Sequence, residues 1–67
     1  MDEQQRRRVR DDISRDIRRL RARQLDKKSL LTRLDPERDS RQAQGLINEI
    51  AGLEGEIASQ ERKLRGL

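Results

Sequence analysis

Apolar residues recur every three or four positions on both sides of Asp35-Pro36, with polar residues filling the places between them. That period belongs to amphipathic helices, and its interruption at an Asp-Pro pair describes two helices joined by a turn. In the second half, with Ala43 as heptad position a, the a series reads Ala43, Ile50, Ile57, Leu64 and the d series Leu46, Leu53, Gln60, Leu67. Gln60 alone breaks this stripe, so the helix expects a partner along it. Asp35 is placed to accept hydrogen bonds from the first free N–H groups, Pro36 suits the first helical position because it has no N–H to leave unpaired, and Glu37 faces the positive end of the dipole. Helix 2 is therefore predicted over about residues 36–65.

The first half is helical with a less regular stripe. Val9, Ile13, Ile17, Leu20, Leu31 and Leu34 share a face that Gln24 and Lys27-Lys28 interrupt, and Val9, Leu20 and Leu31 lie eleven apart, nearer an 11-residue repeat than a heptad. Asp2/Arg6, Glu3/Arg7 and Asp11/Arg15 each set an acid four residues before a base, the favourable order on a helix. Helix 1 is predicted over about residues 2–32, followed by a turn at 33–35, because the residue before a proline disfavours helical geometry. Folding about residue 34 sets Leu20 opposite Ile47 and Ile50, Ile13 near Leu53 and Ile57, and Val9 near Ile57 and Ala58. The expected fold is one all-α domain over residues 1–67, an antiparallel two-helix hairpin of coiled-coil type. Its seam is Val9, Ile13, Ile17, Leu20, Leu31 and Leu34 against Ala43, Leu46, Ile50, Leu53, Ile57 and Leu64.

Composition sharpens this picture. Only 30% of the 67 residues are hydrophobic, 45% are charged and none is aromatic, which excludes a large monomeric core. Such a composition also occurs in disordered chains, but those have no reason to keep a helical period. One stripe of aliphatic side chains is thin recompense for ordering a whole chain, so a lone hairpin is marginal and association is expected. Helix 2 supplies a surface for it. Ile47, Ala51 and Ala58 form a second stripe about 100° from the seam, and beside it Gly45, Gly52, Ser59 and Gly66 recur every seven residues with Gly55 between them. Each mid-helix glycine costs about 0.8–1 kcal/mol relative to alanine, so several on one helix call for a reason, and close approach of another helix is one. The expected partner interface is Gly45, Ile47, Ala51, Gly52, Gly55, Ala58 and Ser59, used in an antiparallel homodimer that makes a four-helix bundle, or against a helix of another protein.

Charge points to a second function class. Residues 1–34 hold 12 Lys/Arg and 6 Asp/Glu, net +6, and residues 35–67 hold 5 and 7, net −2. Arg6, Arg7, Arg8, Arg10, Arg15, Arg18, Arg19, Arg21 and Arg23 span roughly 26 Å of helix at 1.5 Å per residue. Such a helix meets several duplex phosphates at once, and arginine suits bidentate phosphate contacts. With no aromatic residue to stack on bases, the nucleic-acid reading is one of sequence-tolerant duplex binding through backbone and shape. Against it, the arginines point all round the helix and Asp11, Asp12, Asp16 and Asp26 sit among them.

Other chemistry is sparse. There is no Cys, His or Tyr, Ser14, Ser29, Ser40 and Ser59 have no visible base, and no Gly-rich phosphate loop is present, so neither an enzyme, a cofactor nor a small-molecule substrate is expected. Asp35, Glu37 and Asp39 cluster at the tip in the manner of coiled-coil fingers whose acidic tips bind metal in an enzyme channel, but capping and the dipole already account for them, and no metal is expected. MDEQQRRR leads into no apolar run and no stretch approaches the roughly 20 apolar residues of a membrane span, so a cytoplasmic protein without a membrane partner is expected. In size and hairpin plan the chain is similar to the plasmid copy-control protein Rop, to small type III secretion chaperones, and to the N-terminal oligomerisation hairpin of hantavirus nucleoproteins, which also carries an Asp-Pro near its turn. The likeness is architectural: no diagnostic motif of these families is present, and no residue role is carried over.

Overall fold

A computed structural model describes residues 2–67 and shows two packed antiparallel helices, α1 over Glu3–Arg33 and α2 over Ser40–Arg65, with no strand among the described residues. The hairpin expected from the sequence is present as a rod with extents of 55 × 15 × 11 Å.

The ends of α1 follow from local chemistry. The Asp2 carboxylate accepts a hydrogen bond from the Gln5 N–H at 2.8 Å, satisfying one of the free donors of the first turn. At the other end Leu34 is extended, with ψ 146°, and donates its N–H to the Leu31 carbonyl at 3.2 Å, so helical geometry stops just ahead of the Asp35-Pro36 bond. Among the described residues the intrahelical pairs Asp2/Arg6, Glu3/Arg7 and Asp11/Arg15 do not close into ion pairs; the ion pairs that form both cross between the helices.

The start of α2 departs from expectation. The carboxylate of Asp35 does cap, accepting from the Glu37 and Arg38 N–H groups at 2.9 and 3.3 Å. The turn it caps is nevertheless a separate one: Asp39 returns its own carboxylate to the Asp35 N–H at 3.0 Å and sits at φ −108°, ψ 29°, off the helical values, so the regular helix begins at Ser40 rather than Pro36. Backbone bonds from Asp39 N–H to the Asp35 carbonyl, at 2.9 Å, and from Ala43 N–H to the Asp39 carbonyl, at 2.8 Å, carry the chain through without an orphaned end. At its C terminus Arg62, Lys63 and Arg65 complement the negative end of the dipole, and Gly66 closes the last turn.

The longer turn changes the register. Arg21 pairs with Glu61 at 2.8 Å and Lys27 with Glu49 at 2.7 Å, whereas folding about residue 34 would set them beside residues 47 and 41. The pairings of Leu20 with Ile47 and Ile50, of Ile13 with Leu53 and Ile57, and of Val9 with Ile57 and Ala58 are therefore wrong in register. A turn over residues 34–39 moves the pivot towards the C terminus, and each residue of pivot moves every partner by two. Val9 lies twelve residues before Arg21, and its counterpart would fall beyond Leu67. The first two turns of α1 consequently project past the end of α2, and residues 2–8 and 10–12 are exposed.

The core is short and lies in the middle of the seam. Ile17, Leu53 and Ile57 are buried, at 6%, 7% and 8% exposure. The other seam positions, Val9, Ile13, Leu20, Leu31, Leu34, Ala43, Leu46, Ile50 and Leu64, are half-buried, as two helices alone must leave them. Where Gln24 and Lys27 interrupt the stripe, Lys27 reaches Glu49 across the seam, and the buried Nε2 of Gln24 has no hydrogen-bond partner among the described residues. An unpaired buried amide costs about 1–3 kcal/mol. Gln24→Leu should therefore raise the midpoint of thermal unfolding followed by circular dichroism, and a lower midpoint would show that the amide has a partner. Asp35→Ala should cost about 1 kcal/mol, seen as a lower urea midpoint, because it strips the acceptor from two N–H groups at once.

Candidate functional site

At 100° per residue, positions on α2 can be placed around its axis from the seam outward. Ile47, Ala51 and Ala58 fall within about 40° of one another, Gly45 and Gly52 fall together on the other flank, and Gly55 and Ser59 lie between. The expected interface residues thus make one continuous arc of about 160° around the back of α2, with Ile47 at one edge and Gly45 at the other. The structure spreads them wider than a single stripe. Gly45 and Gly52 line grooves on the flank that also carries Leu30, together with Leu34, Leu46 and Leu53, and Ile47 takes no part in those grooves.

The charge on this arc distinguishes it from the rest of the surface. Between Gln44 and Ser59 the back of α2 consists of Gln44, Gly45, Ile47, Asn48, Ala51, Gly52, Gly55, Ala58 and Ser59, all uncharged in a chain that is 45% charged. The acids of this stretch stand at its margins, Glu49 and Glu56 on one side and Glu54 on the other. Ile47 is 47% exposed, and Ala51 and Ala58 are exposed as well. A Cβ built at Gly45, Gly52 or Gly55 meets nothing within 4 Å, and no glycine has positive φ. Neither intrachain packing nor backbone conformation requires glycine at these places.

Two further apolar side chains that the seam pattern passes over are exposed on α1: Leu25 at 66% and Leu30 at 48%. Both lie outside the three-and-four spacing of the stripe, and being left over from it was the signal available in the sequence. With Ile47 they place the large exposed hydrophobic residues among the described residues in the half of the rod nearer the turn.

The nine arginines of α1 from Arg6 to Arg23 are all exposed, and of these only Arg21 is engaged in an ion pair among the described residues. Partial neutralisation across the seam therefore reaches one of them. Arg6, Arg7 and Arg10 line a shallow surface with Glu3 on the projecting turns of α1, where α2 no longer stands opposite. At the tip, the carboxylates of Asp35 and Asp39 are occupied by backbone N–H groups, and among the described residues no group of three or more His, Cys, Asp or Glu is placed to hold a metal ion. No helix of the described residues is long and apolar enough to cross a membrane.

Comparison with protein-family models, with curated proteins and with solved structures finds no match to the chain. The likeness in plan to other helical hairpins thus carries no family assignment.

Since the three glycines are helical and open around their Cβ positions, Gly45→Ala, Gly52→Ala and Gly55→Ala should each stabilise the hairpin by about 0.4–1 kcal/mol in urea unfolding at low micromolar concentration. A loss of stability in that dilute regime would mean that a packing constraint acts on the monomer itself.

Proposed function

We propose that this chain is a non-enzymatic, cytoplasmic assembly module that acts by binding, using the back of α2 to pair with a second copy of itself or with a helix of another protein, which it scaffolds or regulates. The observation that carries this reading is the uncharged arc from Gln44 to Ser59, with Ile47 half-exposed and three glycines that the hairpin itself has no use for. Glycine in a helix is a standing cost, and an exposed isoleucine beside it adds unfavourable hydration; a helix packed on this face offsets both. In the homotypic form two hairpins make a four-helix assembly with the helices antiparallel. Sedimentation at high micromolar concentration tests it: the wild type should sediment above monomer mass, and Ile47→Glu should return it to monomer while helicity persists. A helical monomer at every concentration, with no helical protein bound, would overturn the reading.

A second reading rests on a separate observation, the eight exposed arginines between Arg6 and Arg23 that have no ion-pair partner among the described residues. On it, α1 is a sequence-tolerant duplex RNA or DNA binder that tracks phosphates. A mobility shift with generic duplex should then be strong at low salt and fall steeply at moderate salt, and replacing Arg15, Arg18 and Arg19 by Ala should weaken it. A shift indifferent to salt would dismiss this second function.

A further inference from the structure

We infer that a second copy of this chain seats on the flank of the hairpin that carries Leu25 and Ile47, with a two-fold axis parallel to the rod, so that α1 of each hairpin lies along α2 of the other and both turns are at one end; this rests on the self-association reading above. Arg21 pairs with Glu61 on that flank, which Ser14 and Arg18 also line. At a spacing of three and four, Arg18, Arg21, Leu25, Lys28 and Thr32 continue one stripe along α1 there, and Ile47, Ala51, Glu54, Ala58 and Glu61 another along α2. Leu25 and Ile47, exposed at 66% and 47%, therefore share one side, while Leu30 and the grooves beside Gly45 and Gly52 belong to the other.

Charge identifies the occupant. The α1 stripe from Arg18 to Thr32 holds Arg18, Arg21 and Lys28 and no acid, and the α2 stripe from Ile47 to Glu61 holds Glu54 and Glu61 and no base. A flank with one basic and one acidic edge complements itself when a two-fold lays each edge on the other kind. An axis parallel to the rod does this and permits no sliding, so the register is inherited from the hairpin. Averaged, the Arg21–Glu61 and Lys27–Glu49 pairs set Arg18 level with Glu61, Leu25 with Glu54 and Thr32 with Ile47. Glu54, which has no ion-pair partner among the described residues, then stands within about one turn of the partner's Arg21 and Lys28. Leu25 seats between the partner's Ala51 and Ala58, and Ile47 lies over the partner's Thr32. An axis perpendicular to the rod, which lays α1 on α1 and α2 on α2, sets base against base and acid against acid. The ends do not oppose the parallel axis: Arg65 comes level with the uncharged Ser14, and the projecting starts of α1, brought to the same end, each hold four acids and four bases over residues 2–12. Gly45, Gly52, Arg15 and Arg19 stay outside the contact.

From Ser14 to Thr32 the contact runs about 27 Å at 1.5 Å per residue and is about 20 Å across two helices. That is below the roughly 800 Å² per partner of standard interfaces, so association in the micromolar range or weaker is expected. Sedimentation at several hundred micromolar protein tests it. Leu25→Glu should be monomeric with its helicity intact by circular dichroism, since Leu25 lies outside the seam. Lys28→Glu and Glu54→Lys should each associate about tenfold more weakly than the wild type, because each sets like charges face to face twice. An equimolar mixture of the two should regain the dimer, each acid again meeting a base, and only a pair formed between chains is restored by mixing. If Leu25→Glu remains dimeric, or the mixture associates no better than its components, the dimer uses another arrangement and the inference falls while self-association stands. If Lys28→Glu alone associates more tightly than the wild type, α1 lies on α1 and the inference falls likewise. If the wild type sediments as a monomer at these concentrations, self-association itself fails and takes the inference with it.

Discussion

Two helices touch along one line, and that geometric limit governs the molecule. A hairpin of this kind can enclose only the residues in the middle of its seam, and Ile17, Leu53 and Ile57 are the three that fall below a tenth exposure. The other aliphatic side chains of the seam are shared between it and water. The packing contribution is correspondingly modest, so the turn and the caps matter more than they would in a larger domain. The Asp35 N–H donates to the Asp39 carboxylate and the Asp39 N–H to the Asp35 carbonyl, and this reciprocal clasp shapes the reversal whose register the Arg21–Glu61 and Lys27–Glu49 pairs then mark. Both ion pairs have partly exposed members, and such pairs contribute about 0.2–1 kcal/mol each, so they report the register more than they impose it.

What was legible in the sequence was whatever depends on local period and local chemistry. The two helices, their antiparallel arrangement, the end of α2 near Arg65 and the capping role of Asp35 all follow from spacing and from the hydrogen-bonding capacity of single residues. What was not legible depended on how one side chain folds back on a distant backbone group. Asp39 reads as one more acid at the start of a helix, yet its carboxylate returns to Asp35 and separates a capped turn from the helix proper. Four residues of misplaced helix start then became a slip of the whole pairing, since a period of three and four residues is satisfied equally well by several registers. The interrupted stripe of α1, with Gln24 and the two lysines in its middle, offered too few apolar positions to choose among them.

The candidate site was legible as a set of residues and less so as a shape. Small residues at heptad spacing identify the back of α2, but the width of the arc, and the fact that its two edges lie on opposite flanks of the hairpin, emerge only once the seam direction is fixed. The distribution of charge around that helix is as informative as the small residues themselves. In a chain where nearly every second residue is ionised, an uncharged face four turns long stands apart from the rest of the surface. It also lacks the repulsion that protects the remainder of the surface from adventitious contact. The arginine-rich helix on the opposite side of the seam is left facing outward in either proposed mode, so the two readings use different faces of one rod.

The projecting start of α1 has a dynamic consequence. Those two turns reach past the end of α2 and, Val9 apart, are exposed, with the Asp2 cap at their start, while isolated helical segments of that length are marginal in water. Their amide protons should therefore exchange with solvent far ahead of those beside Ile17 and Leu53, with a gradient of protection rising toward the seam. The rod is thus graded along its length, frayed at one pole and clasped at the other, and whatever grips the frayed pole meets a segment that bends to fit it.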